Sequence, residues 1–224
     1  MYAAARKYLK RMGVLHKAHI YYENSARWLQ QIVKYSIENA RRSEYVAGYD
    51  LLGAVDCHWH RTGYAVGLLN EFYEMKPGVS KEKVLNYNGA NVLLADCGKH
   101  RNIACNQPVN IKIWASLYGQ APLEQGKVTW VLLDEERHVY VQGEHAVQNI
   151  ANGKVEALGA IQISVPNLPY PRKMLLEVSL KGTGYHVKNS WDYWVFPEQE
   201  KAVTSDRNNQ TSRVRLLTEL DHES

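Results

Sequence analysis

The feature that most constrains the fold is an alternation of apolar and polar residues in the second half of the chain. Between Val109 and Leu117 every second residue is apolar, and the same period of two returns at Val128. Successive side chains of a β-strand point to opposite faces of the sheet, so this period predicts strands with one buried face. Further strands are predicted over residues 128–132, 139–141, 155–165, 172–181 and 185–196.

The spacing of these strands predicts how they are arranged. Turn residues separate them at Asn152-Gly153, at 166–171 and at 182–184. Roughly seven short strands within about 100 residues are typical of an immunoglobulin-like antiparallel β-sandwich. The Cys-Trp-Cys pattern of antibody domains does not occur, so this prediction depends on strand spacing. We expect the sandwich to span residues 89–197.

Helices are predicted in the first half of the chain. A short helix over residues 3–12 ends at Gly13, because glycine accepts the left-handed conformation that closes a helix. A longer helix is predicted over residues 16–40, where apolar and small residues recur every three or four positions. Ser80 is an N-cap candidate for a third, short helix. We expect one face of the long helix to pack against the rest of the protein. The positions that form this face are Tyr21, Ser25, Trp28, Leu29, Ile32, Val33, Ser36, Ile37 and Ala40.

A largely apolar run, Tyr45 to Val55, leads directly into a cluster of polar and aromatic side chains. We interpret residues 46–56 as a buried strand that delivers polar side chains to the mouth of a pocket, as strands of a parallel barrel do. The alternative is an ordinary core strand that runs into a polar loop. The cluster consists of Asp56, Cys57, His58, Trp59, His60 and Arg61.

Composition excludes several classes of protein. The chain has 224 residues, 45% of them apolar, which suits a globular protein. Neither a stretch of about 20 apolar residues nor a signal-peptide pattern is present, so no membrane partner is expected. Three cysteines, Cys57, Cys97 and Cys105, lack the spacing of a disulfide framework or zinc site. Residues 1–44 hold nine Lys/Arg against three Glu, which we interpret as solvated helix faces rather than a nucleic-acid surface.

Several segments together resemble β-galactosidase-like family 2 glycoside hydrolases, over residues 6 to about 197. These segments are RKYLKRMGVL at 6–15, YSIENARRS at 35–43, GYDLLG at 48–53, GYAVGLLNEFYEMKP at 63–77 and WDYWVFP at 191–197. The resemblance implies an α+β multidomain chain, the C-terminal fragment of a (β/α)8 barrel followed by the immunoglobulin-like sandwich. Residues 1–88 would be the last helices and last strand of the barrel, and residues 198–224 a linker into a further segment.

The family's mechanism is retaining hydrolysis of β-linked glycans by two carboxylates. In the family, both carboxylates lie on barrel strands that precede the last one, and the His-Glu-like nucleophile motif does not occur in this sequence. The resemblance therefore predicts no catalytic residue in this chain, and its expected partners are a carbohydrate and an upstream barrel segment. Glu71 and Glu74 are three residues apart on one turn, so we interpret them as cap or surface groups.

By the same resemblance, the residues after strand 46–56 would contribute to a sugar-binding pocket. Trp59 would be a platform for the apolar face of a pyranose. Asp56, His58 and His60 would form hydrogen bonds with sugar hydroxyls, and Arg61 would bind the carboxylate of an acidic sugar. No cofactor is expected.

Two other functions are compatible with these residues. In an amidohydrolase-like metal enzyme, His58 and His60 would share one strand face and bind zinc. In a non-catalytic carbohydrate-binding or scaffolding module, an exposed tryptophan of the sandwich would bind the sugar. Trp114 is the candidate, because it is out of phase with the apolar residues of its strand, whereas Trp130 is in phase with Val128 and is predicted to lie in the core.

Overall fold

The computed structural model describes residues 2–43, 45–57, 65–96, 101–119 and 121–198. These residues form three α-helices, α1 (Tyr2–Arg11), α2 (Ala18–Arg42) and α3 (Lys81–Asn88), and a short 3₁₀ helix (Leu15–Lys17) precedes α2. These confirm the three predicted helices. Gly13 follows α1 with a φ of 71°, and the Ser80 side chain accepts a hydrogen bond from the Lys83 backbone N–H at 3.2 Å as the N-cap of α3. Among the described residues no helix combines the length and the apolar content needed to cross a membrane.

The described residues of the second half form eight strands. They are β1 (Asn91–Ala95), β2 (Asn102–Ala104), β3 (Val109–Leu117), β4 (Leu123–Asp134), β5 (Val139–Ile150), β6 (Lys154–Ile163), β7 (Arg172–Gly182) and β8 (Tyr185–Phe196). The strands predicted from the period of two correspond to β3 to β8. The short strands β1 and β2 were not predicted.

These strands form two sheets that share one core. One sheet has the order β1-β3-β6 and the other has the order β2-β8-β7-β4-β5. All pairs are antiparallel except β2 with β8, which is parallel. Buried side chains of the two sheets, such as Ile111 and Ile113 from one and Leu176 and Leu180 from the other, belong to a single hydrophobic cluster. The chain is therefore a mixed α/β protein dominated by β-sheet, with a sandwich-like second half.

The predicted buried strand over residues 46–56 is not formed. Within this stretch only Val55 makes an isolated bridge, to Leu69, and Tyr45 and Leu52 are 96% and 89% exposed. A strand that is apolar on both faces needs neighbouring strands to bond its backbone and cover its side chains. The described residues supply no such neighbours here, so the segment runs as an exposed, irregular chain. No barrel strand is seen in the described ranges.

Helix α2 contacts the sandwich through polar side chains. Glu38, 4% exposed, accepts hydrogen bonds from Asn189 Nδ2 at 2.8 Å and Trp191 Nε1 at 3.0 Å, both on β8. Lys34 forms a salt bridge with Glu38, and its ammonium lies 4.8 Å from the centre of the Trp191 ring. Arg42 donates to the Ala95 carbonyl oxygen at 2.7 Å. These bonds fix the C-terminal half of α2 across the edge of the sandwich.

The predicted apolar face of α2 is buried only at its C-terminal end. Ile37 is buried, whereas Tyr21, Trp28 and Ile32 are exposed. The helix itself is confirmed, but the prediction that this whole face packs is wrong for the described residues. Because the polar side of α2 is bonded to the sandwich, most of its apolar side faces away from it.

Candidate functional site

A cavity of about 350 Å³ lies between α2 and the loop that follows residue 54. It is lined by Tyr22, Ser25, Ala26, Trp28, Leu29, Ile32, Asp56, Ala65 and Lys76. Its α2 side carries aromatic and aliphatic groups, and its loop side carries two charged groups. Its volume lies at the lower end of the range of small-molecule sites, about 300–1,000 Å³. We refer to it as the Asp56 pocket.

A buried ion pair lies on the loop side of the Asp56 pocket. Lys76 Nζ is 2.7 Å from Asp56 Oδ1, and the two side chains are 5% and 7% exposed. Lys76 also donates to the Ala65 carbonyl oxygen at 3.1 Å, and the Gly67 N–H donates to Asp56 Oδ1 at 2.8 Å. Buried charges are tolerated when they are paired and hydrogen-bonded in this way.

Backbone contacts in the loop bring these two charges together. The Asp56 N–H donates to the Leu69 carbonyl oxygen at 3.0 Å, and the Lys76 N–H donates to the Leu68 carbonyl oxygen at 3.1 Å. Gly67 is required at its position, because a Cβ atom there would lie 2.5 Å from the Asp56 nitrogen. Two backbone segments that approach this closely leave no room for a side chain.

The α2 wall of the pocket offers an indole ring at its rim. Trp28 is 60% exposed, and Ile32 lies four positions further along the same helix face. Leu29 also lines the pocket. An apolar wall opposite a few fixed polar groups is the usual composition of a site for a small polar molecule. The pocket therefore combines a surface for apolar contact with a carboxylate and an ammonium group.

Among the sequence-predicted site residues, only Asp56 lies in the described part of the chain. It lies in the pocket, but its Oδ1 atom is already bonded to Lys76 and Gly67. The other four, His58, Trp59, His60 and Arg61, fall outside the described residues, so their predicted roles stay predictions. Sequence reasoning missed Lys76, since a lysine 20 residues from its partner in a loop gives no periodic signal. It also missed Trp28 as a pocket residue, because we predicted this side chain to be packed.

Glu74 has the surroundings of a surface group, and Glu71 is partly exposed. Glu74 is exposed, and its Oε2 atom accepts a hydrogen bond from Asn70 Nδ2 at 2.8 Å. The Asn70 side chain also accepts from the backbone N–H groups of Phe72 and Glu74, both at 2.9 Å. This pattern is an Asx-type turn, so Asn70 and Glu74 stabilise the local loop.

One group of three potential metal ligands occurs among the described residues, at the turn between β4 and β5. The donor atoms of Asp134, Glu136 and His138 lie within 4.8 Å of one another. Arg172 Nη1 already lies 2.8 Å from Asp134 Oδ2 and 3.3 Å from Glu136 Oε2. Because a guanidinium already pairs with both carboxylates of this cluster, we interpret it as a structural network of the turn.

Asp134 in this network has a strongly shifted pKa. Burial favours its neutral form, but hydrogen bonds from the His138 backbone and side chain, the His138 charge and a hydrogen bond from Tyr140 outweigh burial and lower its pKa to about 2. The His138 N–H donates to Asp134 Oδ1 at 2.9 Å. The ionised form of Asp134 thus holds the β4–β5 turn.

The tryptophans of the sandwich differ in their availability to a ligand. Trp130 is partly buried against the core, as predicted, and its ring lies 5.6 Å from that of His145. Trp114 is half-buried, and the Arg42 guanidinium lies over its ring at 5.6 Å. One face of the Trp114 ring is therefore already occupied by a side chain of α2.

Comparison with known proteins gives one family match and several distant structural likenesses. A family model described as a domain of unknown function (DUF8488) matches residues 107–197. No curated protein matches the chain. The structural neighbours include glycoside hydrolases. A β-glucuronidase from Parabacteroides merdae is 16% identical, with a TM-score of 0.29, over 40% of this chain and 12% of that chain. A putative β-galactosidase from Bacteroides fragilis is 7% identical, with a TM-score of 0.31, over 46% of this chain and 15% of that one.

A different kind of protein is similar over most of its own length. The CARDB domain of a Pyrococcus furiosus protein, solved in complex with di-metal ions, is 9% identical, with a TM-score of 0.35, over 48% of this chain and 94% of that chain. The present chain covers only 12% and 13% of the first two similar structures. With TM-scores this low, none of these likenesses assigns a function.

Proposed function

We propose that this chain is the closing part of a (β/α)8 barrel and the immunoglobulin-like domain that follows it, in a glycosidase similar to family 2 glycoside hydrolases. The segment that begins at Asp56 contributes part of the sugar-binding pocket. The two catalytic carboxylates belong to earlier barrel strands, so the chain alone binds sugar without hydrolysing it. Its partners are a β-linked glycan and the upstream barrel segment.

The observation that carries this proposal is the orientation of α2. Its polar side is bonded to the sandwich through Glu38, while Trp28 and Ile32 on its other side are uncovered above the Asp56 pocket. A helix on the outside of a (β/α)8 barrel buries one apolar stripe against the strands. An uncovered stripe beside the expected last strand is what α2 would present without those strands.

The strand order supports the immunoglobulin-like part of the proposal. In the lettering used for that fold, β1, β3 and β6 correspond to strands A, B and E, and β8, β7, β4 and β5 to strands G, F, C and C′. Immunoglobulin-like sandwiches pair the strands in these two groups.

Sugar binding tests the proposal directly. We expect galactose or glucuronate to quench the tryptophan fluorescence of the chain at millimolar concentrations, and glycerol to have no effect. Trp59→Ala should weaken this binding by roughly tenfold, which corresponds to loss of about 1.4 kcal/mol. Trp114→Ala is the matched control and should bind as the unmodified chain does. Nitrophenyl β-galactoside should not be hydrolysed by the unmodified chain or by either variant.

The outcomes separate this proposal from its rivals. Binding that is lost in Trp114→Ala and kept in Trp59→Ala would replace it with a carbohydrate-binding module that uses the sandwich. Zinc-dependent hydrolysis of an amide substrate, abolished in His58→Ala, would replace it with the amidohydrolase-like function. Absence of quenching by any sugar would refute the pocket.

A further inference from the structure

Five cations at the start of the chain have no acidic counterpart in sequence. Residues 1–22 contain no Asp or Glu, and Glu23 is the first carboxylate. All five side chains are exposed. The five residues, which we call the basic patch, are Arg6, Lys7, Lys10, Arg11 and Lys17.

Within the described part of the chain, the basic patch also has no carboxylate partner in space. In the described ranges, none of its five members forms a salt bridge, and the Arg11 guanidinium lies 5.5 Å from the centre of the Tyr8 ring. The sandwich behaves differently, because six of its cations pair with carboxylates. Those six are Lys127, Arg137, Lys154, Arg172, Lys173 and Lys188.

Helix geometry concentrates the charges of α1 on one side. Arg6 and Lys10 are four residues apart, as are Lys7 and Arg11, so each pair lies on the same face. Like charges at this spacing destabilise an isolated helix. Favourable interaction with the helix dipole accounts for Lys10 and Arg11 in the last turn. It does not account for Arg6, Lys7 or Lys17, so a bound anion is the more complete explanation.

We propose that the basic patch is an accessory binding site for a polyanionic glycan, a chain that carries sulfate or carboxylate groups. This inference rests on the proposed glycan function and names the charge class of the substrate. Dense Lys/Arg clusters bind polyanions such as nucleic acids and heparin-like glycans. A site for single-stranded nucleic acid would also present open aromatic rings between its cations. In the sequence, Tyr8 is the one Phe, Trp or Tyr residue between these cations, and the Arg11 guanidinium already lies 5.5 Å from its ring centre.

Retention of the purified chain on immobilised heparin tests this site. We expect the chain to bind at low salt and to elute as NaCl increases, because released counterions oppose rebinding. Lys7→Glu/Lys10→Glu should weaken binding at least tenfold. Lys127→Glu/Lys154→Glu makes the same change in net charge at exposed positions of the sandwich and should change binding less than twofold. If the charge-reversed variant unfolds α1, Lys7→Gln/Lys10→Gln tests the site instead, because it introduces no new charge. This neutral variant should weaken binding by an intermediate amount.

Other polyanions distinguish a carboxylated from a sulfated glycan, and a glycan from a nucleic acid. Binding to polygalacturonate as well as heparin would show that carboxylates suffice, and binding to heparin alone would show that sulfate is required; both support the site. Equal losses in the two reversed pairs would overturn it, since net charge alone would then explain binding. Tighter binding to single-stranded DNA than to heparin would also overturn it. Sugar quenching through Trp59 tests the proposed function separately, so either can fail without the other.

Discussion

Glu38 holds α2 against the sandwich, and its removal should destabilise the whole described fold. In Glu38→Ala, Trp191 Nε1 loses the acceptor at 3.0 Å, and Asn189 Nδ2 keeps only the Leu93 carbonyl oxygen at 2.7 Å. Lys34 loses its salt bridge with Glu38, while it keeps its hydrogen bond to Asn189 Oδ1 at 2.8 Å and, at 17% exposure, can be hydrated in part.

The magnitude follows from these losses. A buried donor left without an acceptor costs about 1–3 kcal/mol, and breaking a buried ion pair by removing one partner costs about 3–5 kcal/mol. The losses share one side chain and are not additive, so we expect the free energy of unfolding to fall by about 3–5 kcal/mol. Glu38→Gln keeps the side-chain volume and one acceptor oxygen, and should cost about half as much.

Urea denaturation followed by tryptophan fluorescence and by circular dichroism measures the effect. Both signals should shift together, because Trp191 is on β8 and the helical signal comes largely from α2. Glu23→Ala is the matched control on the same helix, since Glu23 is exposed, and it should change the free energy of unfolding by less than about 0.5 kcal/mol. A Glu38→Ala protein as stable as this control would refute the role assigned to Glu38.

Three further predictions concern other parts of the fold. The lowered pKa of Asp134 means that its ionised form stabilises the folded state above the unfolded pKa, near 4, and that this contribution is lost as the pH falls toward about 2; Asp134→Asn should flatten the dependence of Tm on pH in that window. Gly143→Ala should lower the free energy of unfolding by about 1–3 kcal/mol, measured in urea, because a Cβ atom there would overlap the Trp130 ring. Lys76→Met should lower it by about 3–5 kcal/mol, because Asp56 is left buried and unpaired.

Each of these predictions has a defined control. Parallel curves of Tm against pH for Asp134→Asn and the unmodified chain would contradict the first. For the second, Gly48→Ala places a Cβ where no atom lies within 4 Å and should be neutral; equal effects at Gly48 and Gly143 would count against the overlap. For the third, Asp56→Asn/Lys76→Met should recover part of the stability lost in Lys76→Met, and no recovery would show that the pair is not coupled.

Local periodicity predicted most of the regular structure, because the relevant signal lies within each segment. Strand β3 was predicted with its observed bounds. Strand β1 was missed because all but its first residue are buried, so it lacks the alternation of a half-exposed strand. Strand β2 has three residues and pairs with residues of β8 that are distant in sequence, which no local pattern reports.

Properties that depend on distant partners could not be predicted in the same way. The run over residues 46–56 is apolar enough for a buried strand, but whether neighbouring strands are present cannot be predicted from this run alone. Asp56 was identified from its place at the end of that run, and its contact with Lys76 depends on how the loop folds back. Trp114 was correctly separated from the core by its phase, but the position of Arg42 above it depends on the docking of α2.

The docking of α2 also determines how the molecule should behave in concentrated solution. A rotation of the helix about its axis that buried Trp28 and Ile32 would separate Glu38 from Trp191. The hydrogen bond between these two residues therefore keeps the apolar side of the helix exposed to solvent. A protein with one exposed apolar surface and one polar surface self-associates through the apolar surface. Purified samples should therefore turn turbid on concentration and clear again in mild non-ionic detergent.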